Sequence, residues 1–160
     1  LDLILLTTMN NEQLIERIVK AFPDIQPILG KQCVEITVNP ENLLATILAL
    51  RTNKDFSFDY LFNLMGVDLD GKLGIYYHLE SYDLKHMIVV KCFAASRENA
   101  SIPSIMSQYP GVELLEREVF EFYGVNIEGH PDLRKLFLPE DWQGYPLRKD
   151  YYDPINIVER

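Results

Sequence analysis

Glu116, Glu118, Glu121, His130 and Asp132 stand close together in the last third of the chain. Carboxylates and imidazole are ligands for hard or borderline metals, and a histidine beside carboxylates can act as a general base. The spacing argues against both. Glu116 and Glu118 lie about 200° apart around a helix and cannot chelate one ion together. Only Glu118 and Glu121 share a face. Two helical carboxylates and one loop histidine leave a stand-alone metal-dependent hydrolase, using Glu118, Glu121 and His130, as the weaker reading. Elemental analysis of the purified protein would discriminate it. The blander reading pairs Arg117 with Glu121 at i,i+4. The other glutamates then meet basic groups of the C-terminal tail or of a partner. His130, between Gly129 and Pro131, is better read as a ring bonded to backbone carbonyls at a bend. His78 and His86 sit in or beside strands with no second catalytic group near them in sequence.

The remaining charged groups fit recognition better than catalysis. Arg134-Lys135 and Arg148-Lys149-Asp150 are followed or interleaved by Trp142 and Tyr151. Arginine grips carboxylates in a two-pronged way, and large rigid aromatics are enriched at binding hot spots. No glycine-rich phosphate loop, nucleotide fingerprint or nucleophile elbow is present in the sequence.

Positioning these residues falls to one helix and one irregular tail. Leu115, Val119 and Phe122 recur at helical spacing, and Gly124 is placed to stop the helix. Beyond it, Gly129, Pro131, Pro139, Gly144, Pro146 and Pro154 leave no window for a long helix or a central strand. The tail nevertheless carries Val125, Ile127, Leu133, Leu136, Phe137, Leu138, Trp142, Tyr145, Leu147, Tyr151 and Tyr152. Disordered tails are poor in such residues. The expectation is an extended arm over residues 125–160 that lies along its own domain or another protein, with Trp142 and Arg148 as hot spots. The domain before Gly124 is expected to be independent of it.

Upstream, Asn10 or Asn11 can cap a helix to Phe22. Gln26 to Leu29 and Cys33 to Val38 form a hairpin. Asn39-Pro40 opens a second helix to about Thr52. A helical turn near Tyr60 precedes a short strand through Met65-Gly66-Val67. Leu73 to Tyr82 and His86 to Ala94 make the clearest hairpin, after an Asp70-Gly71 turn. Ser101 can cap a short helix ending by Tyr109. The order implies an α+β fold: a mixed or antiparallel sheet covered by helices on one face, over residues 9–124. Residues 1–8 read as leader or extraneous sequence, because Met9 precedes a polar helix-prone run.

The chain has 160 residues, enough for one domain with a sizeable core. A formal charge of −9 argues against non-specific binding to nucleic acid or anionic lipid. The acidity is uneven: residues 130–160 hold five Lys/Arg against six Asp/Glu, so the arm is nearly balanced. The two cysteines, Cys33 and Cys92, are too few for an iron–sulfur cluster, which normally takes four thiolates. Both are expected to be reduced and mostly buried. No stretch approaches the ~20 apolar residues of a membrane span.

The ordered run Glu116-Arg117-Glu118, Glu121-Phe122-Tyr123-Gly124, Gly129-His130-Pro131-Asp132-Leu133-Arg134, Pro139-Glu140-Asp141-Trp142 and Pro146-Leu147-Arg148-Lys149-Asp150-Tyr151 resembles the C subunit, also called the 30 kDa subunit, of respiratory complex I. Three features depart from that pattern. The family usually has Asp at Glu121, an aliphatic residue at Phe137, and often a Trp shortly before the Glu-Arg-Glu run. The resemblance implies a non-catalytic subunit of the peripheral arm, packed on the D subunit close to the B subunit. NADH, FMN, iron–sulfur clusters and quinone would belong to the whole complex and none to this chain. It further implies a peripheral place on the cytoplasmic face of the inner membrane. Subunits of chloroplast and cyanobacterial NDH complexes and of membrane-bound hydrogenases share the pattern, so the electron donor stays open.

Overall fold

The computed structural model describes residues 9–153. In order, these form α1 (Asn11–Ala21), β1 (Ile28–Leu29), β2 (Val34–Val38), α2 (Pro40–Thr52), β3 (Tyr60–Leu69), β4 (Lys72–Ser81), β5 (His86–Phe93), β6 (Ser101–Pro103), α3 (Glu113–Tyr123) and β7 (Asn126–Glu128). Five strands make one sheet in the order β1-β2-β5-β4-β3. Only β2 and β5 run parallel in it, so the sheet is mixed.

Register sorts the side chains. Ile36, Val90, Tyr77 and Leu64 align across four strands, and Val38, Cys92, Ile75 and Gly66 align beside them. This is the helix-covered face, and the large residues on it are buried. The next row, Glu35, Val89, His78 and Asn63, points the other way. Period-2 alternation in β2, β4 and β5 therefore builds one core between sheet and helices. Full burial of each such aliphatic side chain contributes about 1.5–3 kcal/mol.

Local chemistry places the helices. Asn10 and Gln13 form a reciprocal capping box, with the Gln13 N–H on Asn10 Oδ1 at 2.9 Å and the Asn10 N–H on Gln13 Oε1 at 3.1 Å. Leu14 and Ile18 bury the inner face of α1. Pro40 opens α2, where its missing N–H has no helical partner to lose. Asp70 and Gly71 both have positive φ, as a tight hairpin turn between β3 and β4 demands. Gly124 takes the left-handed conformation that ends α3.

Two upstream expectations differ from the structure. Tyr60 begins a ten-residue strand, not a helical turn. A register shift between Leu61 and Asn63 breaks the alternation there, so the apolar run loses its period-2 signature. Ser101 starts β6, not a helix: Ser101–Pro103 pairs in parallel with β7, and Ile102 is fully buried. β7 lies inside the segment assigned to the arm. Val125 and Ile127 join the core, so the irregular arm starts after Glu128. Residues 1–8, read as extraneous, and residues 154–160 of the arm lie outside the described residues.

Candidate partner interface

Helix α3 carries Glu116, Arg117 and Glu121 inward, and each is almost wholly buried. Buried charge demands partners, and all three find them in their own chain. Glu116 faces the segment after β6. It accepts from the Ser104 hydroxyl at 2.7 Å and the Ile105 N–H at 2.8 Å. Burial raises its carboxyl pKa, against the lowering effect of those two bonds. The expected basic partner for Glu116 is therefore replaced by a hydroxyl and an amide.

Arg117 and Glu121 hold the arm by its backbone. The Arg117 guanidinium donates to the Arg134 carbonyl at 3.0 Å and the Lys135 carbonyl at 3.2 Å, and lies 3.6 Å from an Asp132 carboxylate oxygen. The Glu121 carboxylate accepts the next three N–H groups: Leu136 at 3.0 Å, Phe137 at 2.9 Å, and Leu138. One arginine takes carbonyls and one glutamate takes amides, a turn apart on α3. The two side chains thus serve residues 134–138 and do not pair with each other. Glu118 is half-buried, and its side chain makes no hydrogen bond or ion pair among the described residues.

His130 bends the chain into this grip. Its Nε2 lies 3.1 Å from the Glu113 carbonyl, and its Nδ1 accepts the Asp132 N–H at 3.1 Å. In this arrangement Nδ1 is the acceptor and Nε2 the nitrogen facing the carbonyl. The expectation of two carbonyl partners becomes one carbonyl and one amide. With Glu121 and His130 so engaged, Glu118, Glu121 and His130 do not converge. No group of three potential ligands that could hold a metal occurs among the described residues.

The distal arm is closed by cations. Lys135 Nζ donates to the carbonyls of Pro139, Glu140 and Trp142 at 3.2, 3.1 and 2.9 Å, which rounds residues 135–142 into a loop. Trp142 is half-buried in that loop, and its indole N–H has no acceptor among the described residues. Arg148 donates to the carbonyls of Tyr123 at 2.6 Å and Gly124 at 3.3 Å, and its guanidinium stacks over Tyr145 at 4.3 Å. It caps the electronegative end of α3. The Lys149 N–H bonds Asp68 at 2.9 Å, and Arg97 bridges Asp68 and Asp150. Tyr151 packs against Gly144 (φ +81°), where a Cβ would stand 2.9 Å from its ring.

The residues chosen from sequence therefore divide. Glu116 and Arg117 are sealed inside the chain. His130, Arg148 and the backbone of Lys149 shape the arm, and Arg134 pairs outward with Asp132 at 2.9 Å. Asp68, Arg97 and Tyr123 were not selected, although they anchor the arm to β3 and α3. The arm's free surface is mixed: Phe137, Tyr145, Leu147 and Tyr152 are exposed among the polar and charged Arg134, Glu140, Asp141, Gln143, Lys149 and Asp150.

The family model for the respiratory-chain NADH dehydrogenase 30 kDa subunit matches residues 36–154, which takes in most of β2, the elements from α2 to β7 and the described arm. The chain belongs to this family. It is 36% identical over 149 residues to the C subunit of NADH-quinone oxidoreductase from a Roseiflexus species, covering 89% of this chain and 84% of that one. It is 43% identical over 122 residues to the C/D subunit of NADH-quinone oxidoreductase from Phocaeicola vulgatus, covering 76% of this chain but only 23% of that protein. The J subunit of NAD(P)H-quinone oxidoreductase from Prochlorococcus marinus is 39% identical over 127 residues, 74% of this chain and 72% of its own. An archaeal respiratory membrane complex, the membrane-bound sulfane sulfur reductase, contains a chain of the same fold. That chain superposes at TM-score 0.75 with 23% identity, over 90% of this chain and 86% of its own. The 30 kDa-family motif is thus largely an internal device. Arg117, Glu121 and Arg148 tie the arm to α3, and Phe137, Tyr145, Leu147 and Tyr152 are left outward.

Proposed function

We propose that this chain is a non-catalytic structural subunit of the peripheral arm of a proton-translocating NADH:quinone oxidoreductase. The observation that carries the reading is the family match over residues 36–154, which includes the arm and every residue that holds it. The geometry supports it. Buried charges on α3 are used to fix a backbone in place, and no convergent acid–base pair accompanies them among the described residues. What the fixed arm offers is a set of outward aromatic and aliphatic side chains, Phe137, Tyr145, Leu147 and Tyr152, among charged neighbours, which suits docking.

The D subunit is the proposed partner of the arm, with the B subunit nearby. The C/D relatives support this, since a name joining C with D marks a fusion of the two. The cofactors of electron transfer are assigned to other subunits, so the isolated chain should show no flavin, haem or iron–sulfur absorbance and oxidise no NADH. No helix among the described residues is long and apolar enough to cross a membrane. A peripheral place on the cytoplasmic face of the inner membrane accords with that.

The test is native purification of the tagged chain from its own membranes, with partners identified by mass spectrometry. The D and B subunits should appear in equal amounts with it. Recovery of the chain alone, under conditions that keep NADH:quinone activity intact, would refute the proposal.

A further inference from the structure

Neighbouring residues of α3 do opposite things. Glu121 is buried and holds the N–H groups of Leu136, Phe137 and Leu138. Phe122, the next residue, is half-buried and backs the Phe137 ring: the two stack at 6.1 Å between centroids, 11° from parallel. Phe137 itself is 67% exposed. Leu147 is fixed beside them by its N–H on the Phe122 carbonyl at 3.1 Å, and it too is exposed.

An exposed phenylalanine gains little from one stacking contact and leaves most of its apolar area in water. Three hydrogen bonds to one buried carboxylate nevertheless hold its backbone. The ring is thus locked outward at low remaining conformational entropy, the condition under which an aromatic anchors a partner strongly. Trp142 is in the opposite state, half-buried in the Lys135 loop with its N–H turned inside.

We infer that Phe137, backed by Phe122, is the anchor of the interface with the D subunit, and that Glu121 is a positioning residue acting through it. This rests on the docking function proposed above. The occupant follows from the C/D relatives, whose names join this subunit with D. The arm presents exposed aromatic and aliphatic side chains on a backbone held from α3. The complementary surface is an apolar socket able to take one aromatic or large aliphatic side chain.

The experiment uses the full chain and the D subunit of the same source. Phe137→Ala should weaken their affinity by about 30-fold or more, the scale of a true hot spot, with the melting temperature of the free chain unchanged. Phe137→Leu, which restores the aliphatic residue usual in the resembling family, should recover most of the loss. Glu121→Gln turns an amide donor toward three N–H donors and should also weaken binding. In the Phe137→Ala background it should add little, because positioning matters only while the ring is present. A Phe137→Ala chain that binds like wild type overturns the inference while leaving the docking function standing. Full additivity of the two changes removes the positioning role of Glu121. Failure of the wild-type chain to bind the D subunit overturns the docking reading itself. Should Glu121→Gln not fold, the Phe137 pair of variants decides alone.

Discussion

Tyr123 lies across Gly66 so closely that a Cβ on Gly66 would stand 2.4 Å from a ring carbon. The glycine on β3 is what lets the last turn of α3 press onto the sheet. Arm and sheet meet here, since Leu147 and Lys149 line the same groove as Met65, Gly66 and Tyr123. Gly66→Ala must push the ring or bend the strand. Overpacking of this kind costs about 1–3 kcal/mol. Chemical denaturation should show that loss, and Gly71→Ala, where an added Cβ meets nothing but φ is positive, should act through backbone strain instead and leave arm contacts intact.

Arg148 closes the C-terminal end of α3 through the Tyr123 and Gly124 carbonyls. Arg148→Ala removes a charged donor from two half-buried acceptors, and bonds of this type contribute about 1.5–3 kcal/mol. The lone chain should therefore lose stability, contrary to a domain independent of its arm. Arg148→Lys should recover part of it, since one ammonium cannot reproduce the stacked fork. Thermal melts of the three proteins check this.

Much of the fold was legible because its signals are local. The Asn10 cap, Pro40 at a helix start, the Asp70-Gly71 turn and the alternation of β4 each act within a few residues. The bulge near Leu61 hid β3 by spoiling its period. The arm was legible as an apolar segment that must lie on something, but not what it lies on. Asp68 joins Arg97 and Lys149 across 29 and 81 positions of sequence, and no local pattern marks such a meeting. Glu121 carries a local i,i+4 pattern with Arg117, and that pattern misled: both side chains reach the arm's backbone, which has no sequence signature at all.

Acid should loosen the arm through Asp68. Its pKa is lowered from 3.8 to about 2, first by the hydrogen bond from Arg97 and further by the Lys149 N–H. A depressed carboxyl stabilises the fold above its unfolded value, and that stability is lost as pH falls from about 4 through 2. Glu116 works the other way. Burial raises its pKa above 4.5, so its contribution is present at low pH and lost as pH rises through that raised value. Urea midpoints followed from pH 6 to pH 2 should fall at the acid end, and Asp68→Asn should flatten that fall while leaving the Glu116 limb unchanged.

The cysteines should differ in reactivity. Both are free; Cys92 is buried on β5 and Cys33 is half-buried ahead of β2. Burial pushes the Cys92 thiol up to about 12 and raises that of Cys33. Thiolate is the reactive form, so native-state labelling should reach Cys33 slowly and Cys92 only on unfolding. Equal, fast labelling of both would contradict the placement of Cys92 in the core.

The proposed role of this chain is to hold a respiratory complex together. Deleting it from its own source, then measuring NADH:quinone activity and the size of the complex in native gels, tests that directly. The account predicts loss of both, restored by the wild-type chain and poorly by the Phe137→Ala chain. Membranes that keep full activity and an intact complex without it would contradict the account.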